Sequence, residues 1–217
     1  MKRLLLAALI LTSGGVALAD TINFAQIGAD GTTATASTTT PLTGVTAGGV
    51  DWSLVSPNGG VTMYQEGLDW DGDFVAGTPL MFDNWGGGPL TIDFTTAIAS
   101  LTLAAQANAV GTFTETMLAY NGTTLVDVVT GTDYNPGQPN TTGEGTIPYL
   151  TVTNTLNAGA GITSVLVETT NDSEGIGLAD PVPEPSTYAL LLTGLGLVYV
   201  AARRRGQSLR VTAANPA

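Results

Sequence analysis

Apolar and polar residues alternate through most of the middle of the chain. Leu90, Ile92 and Phe94 share one face of a strand, with Thr91 and Asp93 on the other. Over residues 98–106, Leu101, Leu103 and Ala105 share a face. Residues 112–120 alternate threonine with Phe113, Glu115, Met117 and Ala119, and residues 123–130 and 162–169 read the same way. Further strands are predicted at 22–27, 50–55, 61–65, 80–83 and 146–153. Turn residues separate them: Pro57-Asn58-Gly59-Gly60, Gly86-Gly87-Gly88-Pro89, Asn121-Gly122 and Asn135-Pro136-Gly137. Asn121-Gly122 between two alternating runs predicts a hairpin. About ten short strands without a helical period predict an all-β fold, an antiparallel β-sandwich over residues 20–181 with jelly-roll topology.

Composition agrees with that reading. The chain of 217 residues holds 35 threonines, and threonine and valine favour strands. Residues 32–43, dominated by Thr, Ala and Ser, read as an exposed loop or irregular edge.

The ends break the pattern. Met1-Lys2-Arg3 precedes an apolar run over residues 4–11, and small residues follow to Ala17-Leu18-Ala19. A basic start, a short apolar core and an A-x-A exit predict a secretory signal peptide over residues 1–19, cut after Ala19. Near the other end, residues 187–202 carry no charge, and Arg203, Arg204 and Arg205 follow at once. With Ser186 added, this run of 186–202 is a little short of the ~20 residues a spanning helix usually needs. Snorkelling arginine stems make up the difference. The arginines stop transfer and stay cytoplasmic, which predicts an N-out, C-in topology with residues 206–217 as a cytoplasmic tail.

Charge sharpens the division. All six basic residues lie at the ends, and all 18 acidic residues lie between Asp20 and Glu184. Nothing from residue 4 to residue 202 can neutralise a phosphate, which excludes nucleic acid as a partner. The chain has no Cys and no His. That excludes disulfides, thiolate metal sites, imidazole ligands and a Ser-His-Asp relay.

Val182-Pro183-Glu184-Pro185-Ser186-Thr187-Tyr188-Ala189-Leu190-Leu191-Leu192, the apolar stretch to Ala202 and the three arginines resemble a PEP-CTERM sorting signal. The resemblance covers residues 182–205. It implies recognition by an exosortase, a transpeptidase-like membrane enzyme of Gram-negative bacteria that make exopolysaccharide. Pro183, Glu184 and Pro185 would be the recognition element, and Arg203, Arg204 and Arg205 the retention stop. The stretches 88–94, 98–107, 111–113 and 162–165 also resemble jelly-roll domains common in such proteins.

Three constellations could carry chemistry. Asp69, Asp71 and Asp73 alternate in one loop, with Glu66 just before them. Alternate aspartates suit a hard cation such as calcium. The spacing is not an EF-hand, because Phe74 and Leu80 stand where that loop needs glycine and glutamate. The alternative is a solvated acidic turn, and no other cofactor is expected. Glu115 and Glu168 are candidate paired carboxylates of a glycosidase, against the simpler reading of exposed groups on the sandwich faces. Trp52, Trp70, Trp85, Tyr64 and Tyr134 form either a sugar-stacking platform or core. Asn121, Asn140 and Asn171 head glycosylation sequons.

The leading expectation is a non-catalytic structural or adhesive protein, exported through the Sec translocon and sorted by exosortase to the cell surface or exopolysaccharide matrix. A carbohydrate-binding module, assisted by calcium, is the second reading. A carboxylate-dependent secreted hydrolase is the third.

Overall fold

Side chains on a strand alternate between two faces, so a chain of short amphipathic strands must close one apolar layer over another. The computed structural model describes residues 20–66, 74, 77–83, 89–136, 145–154, 161–170 and 175–181. Among these, the strands are β1 (Thr33–Thr35), β2 (Leu42–Val45), β3 (Asp51–Val55), β4 (Gly60–Gln65), β5 (Pro79–Asp83), β6 (Leu90–Ile98), β7 (Ser100–Ala107), β8 (Gly111–Asn121), β9 (Thr124–Asn135), β10 (Tyr149–Thr153), β11 (Ile162–Thr169) and β12 (Ile176–Ala179).

They form two six-stranded sheets, ordered β1-β4-β5-β12-β7-β10 and β2-β3-β6-β11-β8-β9. The last eight strands divide as β5-β12-β7-β10 and β6-β11-β8-β9. That is the strand order of a jelly roll, two interleaved Greek keys. The first four strands extend it, β4 and β1 beyond β5, and β3 and β2 beyond β6. The strand pairings are antiparallel.

The inner faces carry the alternating residues. Trp52, Leu54, Ile92, Val165, Val167 and Met117 from one sheet meet Val61, Met63, Met81, Leu101, Leu103, Leu150 and Leu178 from the other. Each such side chain contributes roughly 1.5–3 kcal/mol on full burial. A second apolar cluster covers the outer face of the first sheet, where Phe74 joins Leu80, Phe82, Ala104 and Ala179, with Tyr64 and Ile147 packed against it. β5 and β12 are therefore buried on both faces.

Several boundaries differ from expectation. Residues 22–27 do not form a strand: Ile22 makes one bridge to Thr46, and Phe24–Gln26 is a 3-10 turn. The Asn23 side chain accepts the Ala25 N–H and so offers the backbone an alternative to a sheet ladder. Of the two readings of the threonine-rich stretch 32–43, the edge is the one the fold takes, since β1 and β2 are the end strands of their sheets. β1 pairs there with β4, β2 begins at Leu42, and Ala36 is buried. β10 begins only at Tyr149, because Pro148 has no N–H to add to the ladder. The hairpin between β8 and β9 turns on Gly122 and Thr123, one residue later than predicted. Gly122 takes φ +58, and Asn121 pairs with Thr124 inside the ladder.

β9 and β10 lie in different sheets and approach each other at Gly131. A Cβ placed there would sit 2.2 Å from Pro148 Cβ and 3.0 Å from Leu150 Cδ2. Gly131→Ala should therefore overpack the core and cost about 1–3 kcal/mol. Urea unfolding should show a lower midpoint at an unchanged m-value.

Candidate functional site

The two ends of the sandwich meet beside β7. β10 occupies one edge of β7 from Ser100 to Ala104, and β12 occupies the other from Ala104 to Ala107. Asp20 continues on the β12 side. Its N–H donates to Ser100 O at 2.9 Å, its carbonyl accepts the Thr102 N–H at 3.0 Å, and the bridge to Leu101 is parallel. The Asp20 carboxylate accepts three further bonds, from the Thr21 N–H, the Gly48 N–H at 2.8 Å and the Thr46 hydroxyl at 2.7 Å. Residue 48 must stay small, because a Cβ there would lie 2.8 Å from the carboxylate.

Asp180 closes the same slot from the other direction. It follows β12, and the Ile22 N–H faces its carboxyl. Its Oδ1 is buried without a hydrogen-bond partner. Burial raises its pKa from 3.8 to about 7, against the opposing pull of the Ile22 N–H. The compact unit ends one residue later, at Pro181.

At that same residue a further pattern begins. The family model of the PEP-CTERM protein-sorting motif matches residues 181–205. The chain carries a PEP-CTERM sorting signal. The signal marks an exported protein that an exosortase sorts, held before sorting by a C-terminal membrane anchor. The match starts one residue ahead of the predicted boundary and runs to the last of the three arginines. No curated protein matches the chain.

The PEP-CTERM residues Pro183, Glu184 and Pro185 and the cluster Arg203, Arg204 and Arg205 lie outside the described residues, as do Ala17 and Ala19. So does the apolar run 186–202; among the described residues no helix is long and apolar enough to cross a membrane. Asp69, Asp71 and Asp73 are also outside, together with Trp70, Trp85, Asn140 and Asn171. The base of the acidic loop is described: Glu66 N–H donates to Thr78 O, and Gly77 N–H donates to Glu66 O. Among the described residues no three carboxylates converge to hold a metal ion.

Other candidates are placed directly. Glu115 is fully buried, not an exposed carboxylate, and it faces inward with Met117 and Ala119. Its partner across β11 is Thr169, so Glu168, one residue along, points to the opposite face beside Thr116. One sheet thus separates Glu115 from Glu168, and they cannot flank a single glycosidic bond as a pair. Trp52 is core, 2% exposed, and Tyr64 packs on Phe82 with ring centroids 5.9 Å apart, while Tyr134 is exposed. The described aromatics therefore form no common platform. Asn121 donates its amide to Gly161 O at 2.6 Å, which ties up that sequon in the fold.

Other polar groups bind the sandwich internally. Asp83 is buried and accepts from the Ser56 hydroxyl and the Asn58 amide, and burial raises its pKa. Asp133 accepts the Ala107 N–H at 2.8 Å, and Asn135 donates to Ala107 O and Asn108 O. These contacts span 25–28 positions, so no local motif announces them.

The pH dependence follows from Asp180. Its folded pKa lies above the ordinary 3.8, so the native state holds a proton that the unfolded chain has released. The resulting stability is complete below the ordinary value and is lost as pH rises through about 7. Asp83 and Asp93, raised by burial, act in the same direction. Melting temperature should fall between pH 5 and 8, and Asp180→Asn should flatten that fall and stabilise the protein at pH 8.

Proposed function

We propose that the sandwich is non-catalytic cargo, with a structural or adhesive role at the surface or in the exopolysaccharide matrix of a Gram-negative bacterium. Export runs through the Sec translocon, and the signal peptide of residues 1–19 is removed after Ala19. The helix of residues 186–202 then holds the chain N-out, C-in, with the arginines on the cytoplasmic side, until exosortase acts near Pro183-Glu184-Pro185. The observation that carries this reading is the sorting-motif match, which begins at Pro181, where the compact unit ends. Address and cargo are consecutive and do not share residues beyond that boundary. Pro183 and Pro185 also favour an extended backbone, the form a processing enzyme can grip.

The test is fractionation with mass spectrometry of the mature C-terminus, in strains with and without exosortase. With the enzyme, the chain should be recovered at the surface or in the medium, ending near the motif. Without it, the intact tail should remain in the inner membrane. Replacing Pro183, Glu184 and Pro185 together by alanine should reproduce the enzyme-free outcome while the melting temperature of the sandwich stays unchanged. An intact tail in both strains would leave a plain membrane anchor in place of a sorting signal.

A further inference from the structure

We propose that the outer face of β9, β8 and β11 is an interface between two copies of this chain, which pair face to face. The pairing would give the structural role above its first contact, and it rests on that role only for its setting. The acids of β8 and β9 all turn away from this face. Glu115 and Asp133 are buried, and the Asp127 carboxylate accepts the Thr153 N–H on the flank of β10. Leu125, Val128 and Tyr134 of β9 point outward instead, 43%, 47% and 42% exposed. Tyr120 and Leu118 on β8 and Leu166 on β11 stand beside them, half-buried. Leu125 pairs with Tyr120, Val128 with Leu118, and Leu118 with Leu166, so the apolar surface is continuous across three strands. The other outward positions over residues 112–120 and 125–134 are threonines. Among the described residues, three of the six exposed large apolar side chains therefore share one side of one strand. A strand that sends its acids inward and its leucine, valine and tyrosine outward presents a contact surface.

Charge selects the occupant. A cationic partner seeks acids, and the outward positions of β8 and β9 offer it none. An anionic partner is repelled by a body that holds no Lys or Arg from residue 4 to residue 202. A second copy brings the same uncharged strip. A two-fold axis over the row Val128, Leu118 and Leu166 sets that row against its own image. Sugar stacking would need neighbouring aromatic rings, whereas Tyr120 pairs with Leu125 at one end of the hairpin and Tyr134 with Thr112 at the other. The size also suffices. At about 4.8 Å between strands and 3.4 Å per residue, the four strands from β9 to β6 offer roughly 600 Å² per copy, about 1,200 Å² in a pair, the lower end of specific interfaces. Two outward acids stand within that area, Glu168 beside Thr116 and Asp93 beside Ser164. Each meets like charge across the axis, so screening by salt strengthens the pairing.

The experiment is sedimentation velocity on the full chain in a non-ionic detergent, over a series of protein concentrations. The chain should dimerise, and its dissociation constant should fall several-fold between about 0.05 and 0.5 M salt. Val128→Asp, at an exposed position, should weaken dimerisation by about tenfold or more at an unchanged melting temperature. Thr151→Asp, on the outer face of the other sheet, should leave it as it is. Because the chain has no cysteine, Val128→Cys and Thr151→Cys each carry a single thiol. A short bis-maleimide should link copies through the first and not through the second. A chain that stays monomeric, or a dimer that Val128→Asp leaves intact, would overturn the proposal and leave the sorting reading standing, since fractionation tests that separately. A monomer that binds a neutral glucan, and loses it on Val128→Asp, would overturn self-pairing in favour of a glycan contact.

Discussion

With no lysine or arginine between residues 4 and 202, the carboxylates of the sandwich must find hydrogen-bond donors in place of counter-ions. That constraint shapes much of the polar structure. Asp20 is held by two backbone N–H groups and a threonine hydroxyl. Asp83 is held by Ser56 and Asn58, Asp127 by the Val128 and Thr153 N–H groups, and Asp133 by the Ala107 N–H. Each such bond to a charged acceptor is stronger than a neutral one. Each of these acids also has at least one bond to a distant segment, so the acids act as staples at strand ends and turns. Where donors run short, as at Asp180, burial pushes the proton back on.

The same excess of negative charge answers the edge problem of an open sandwich. Unpaired strand edges invite pairing with other copies. Here β1 and β2, the outermost strands on one side, are only three and four residues long. On the other side, the long β9 is bridged to the flank of β10 at both ends. Tyr134 and Thr146 exchange backbone bonds, and the Asp127 carboxylate accepts the Thr153 N–H. What edge remains belongs to a polyanion, and like-charged copies repel one another. Charge and edge closure therefore act together against pairing of one sheet edge with another.

The architecture was legible where one face of a strand is wet. The strand at 162–169 was placed to the residue, and β7 and β8 within two residues, because their apolar positions recur at a strict period of two; β6 begins at Leu90 as read but runs four residues beyond Phe94, through the exposed Thr95, Thr96 and Ala97, to Ile98. β12 was invisible for the opposite reason. Ile176, Gly177, Leu178 and Ala179 are all buried, so no alternation exists to be read. β1 and β2 were hidden by composition, since a run of Thr, Ala and Ser reads as a loop until Thr33 finds Thr62 across the sheet. The sorting signal was the most legible site, because its three parts are adjacent and need no fold to bring them together. The clasp of Asp20, Ile22 and Asp180 was the least, because it joins positions about as far apart in sequence as the domain allows.

That clasp explains why the address can be separate from the cargo. A jelly roll whose first and last segments share one slot beside β7 has no further edge there onto which the chain could continue. β12 stops at Ala179, Asp180 turns its carboxyl to Ile22, and Pro181 supplies no N–H with which to extend the ladder. The proline at 183 and the next at 185 repeat the same refusal. Among the described residues, the sheet therefore ends by chemistry, not by distance, at Pro181, the residue at which the sorting-motif match begins.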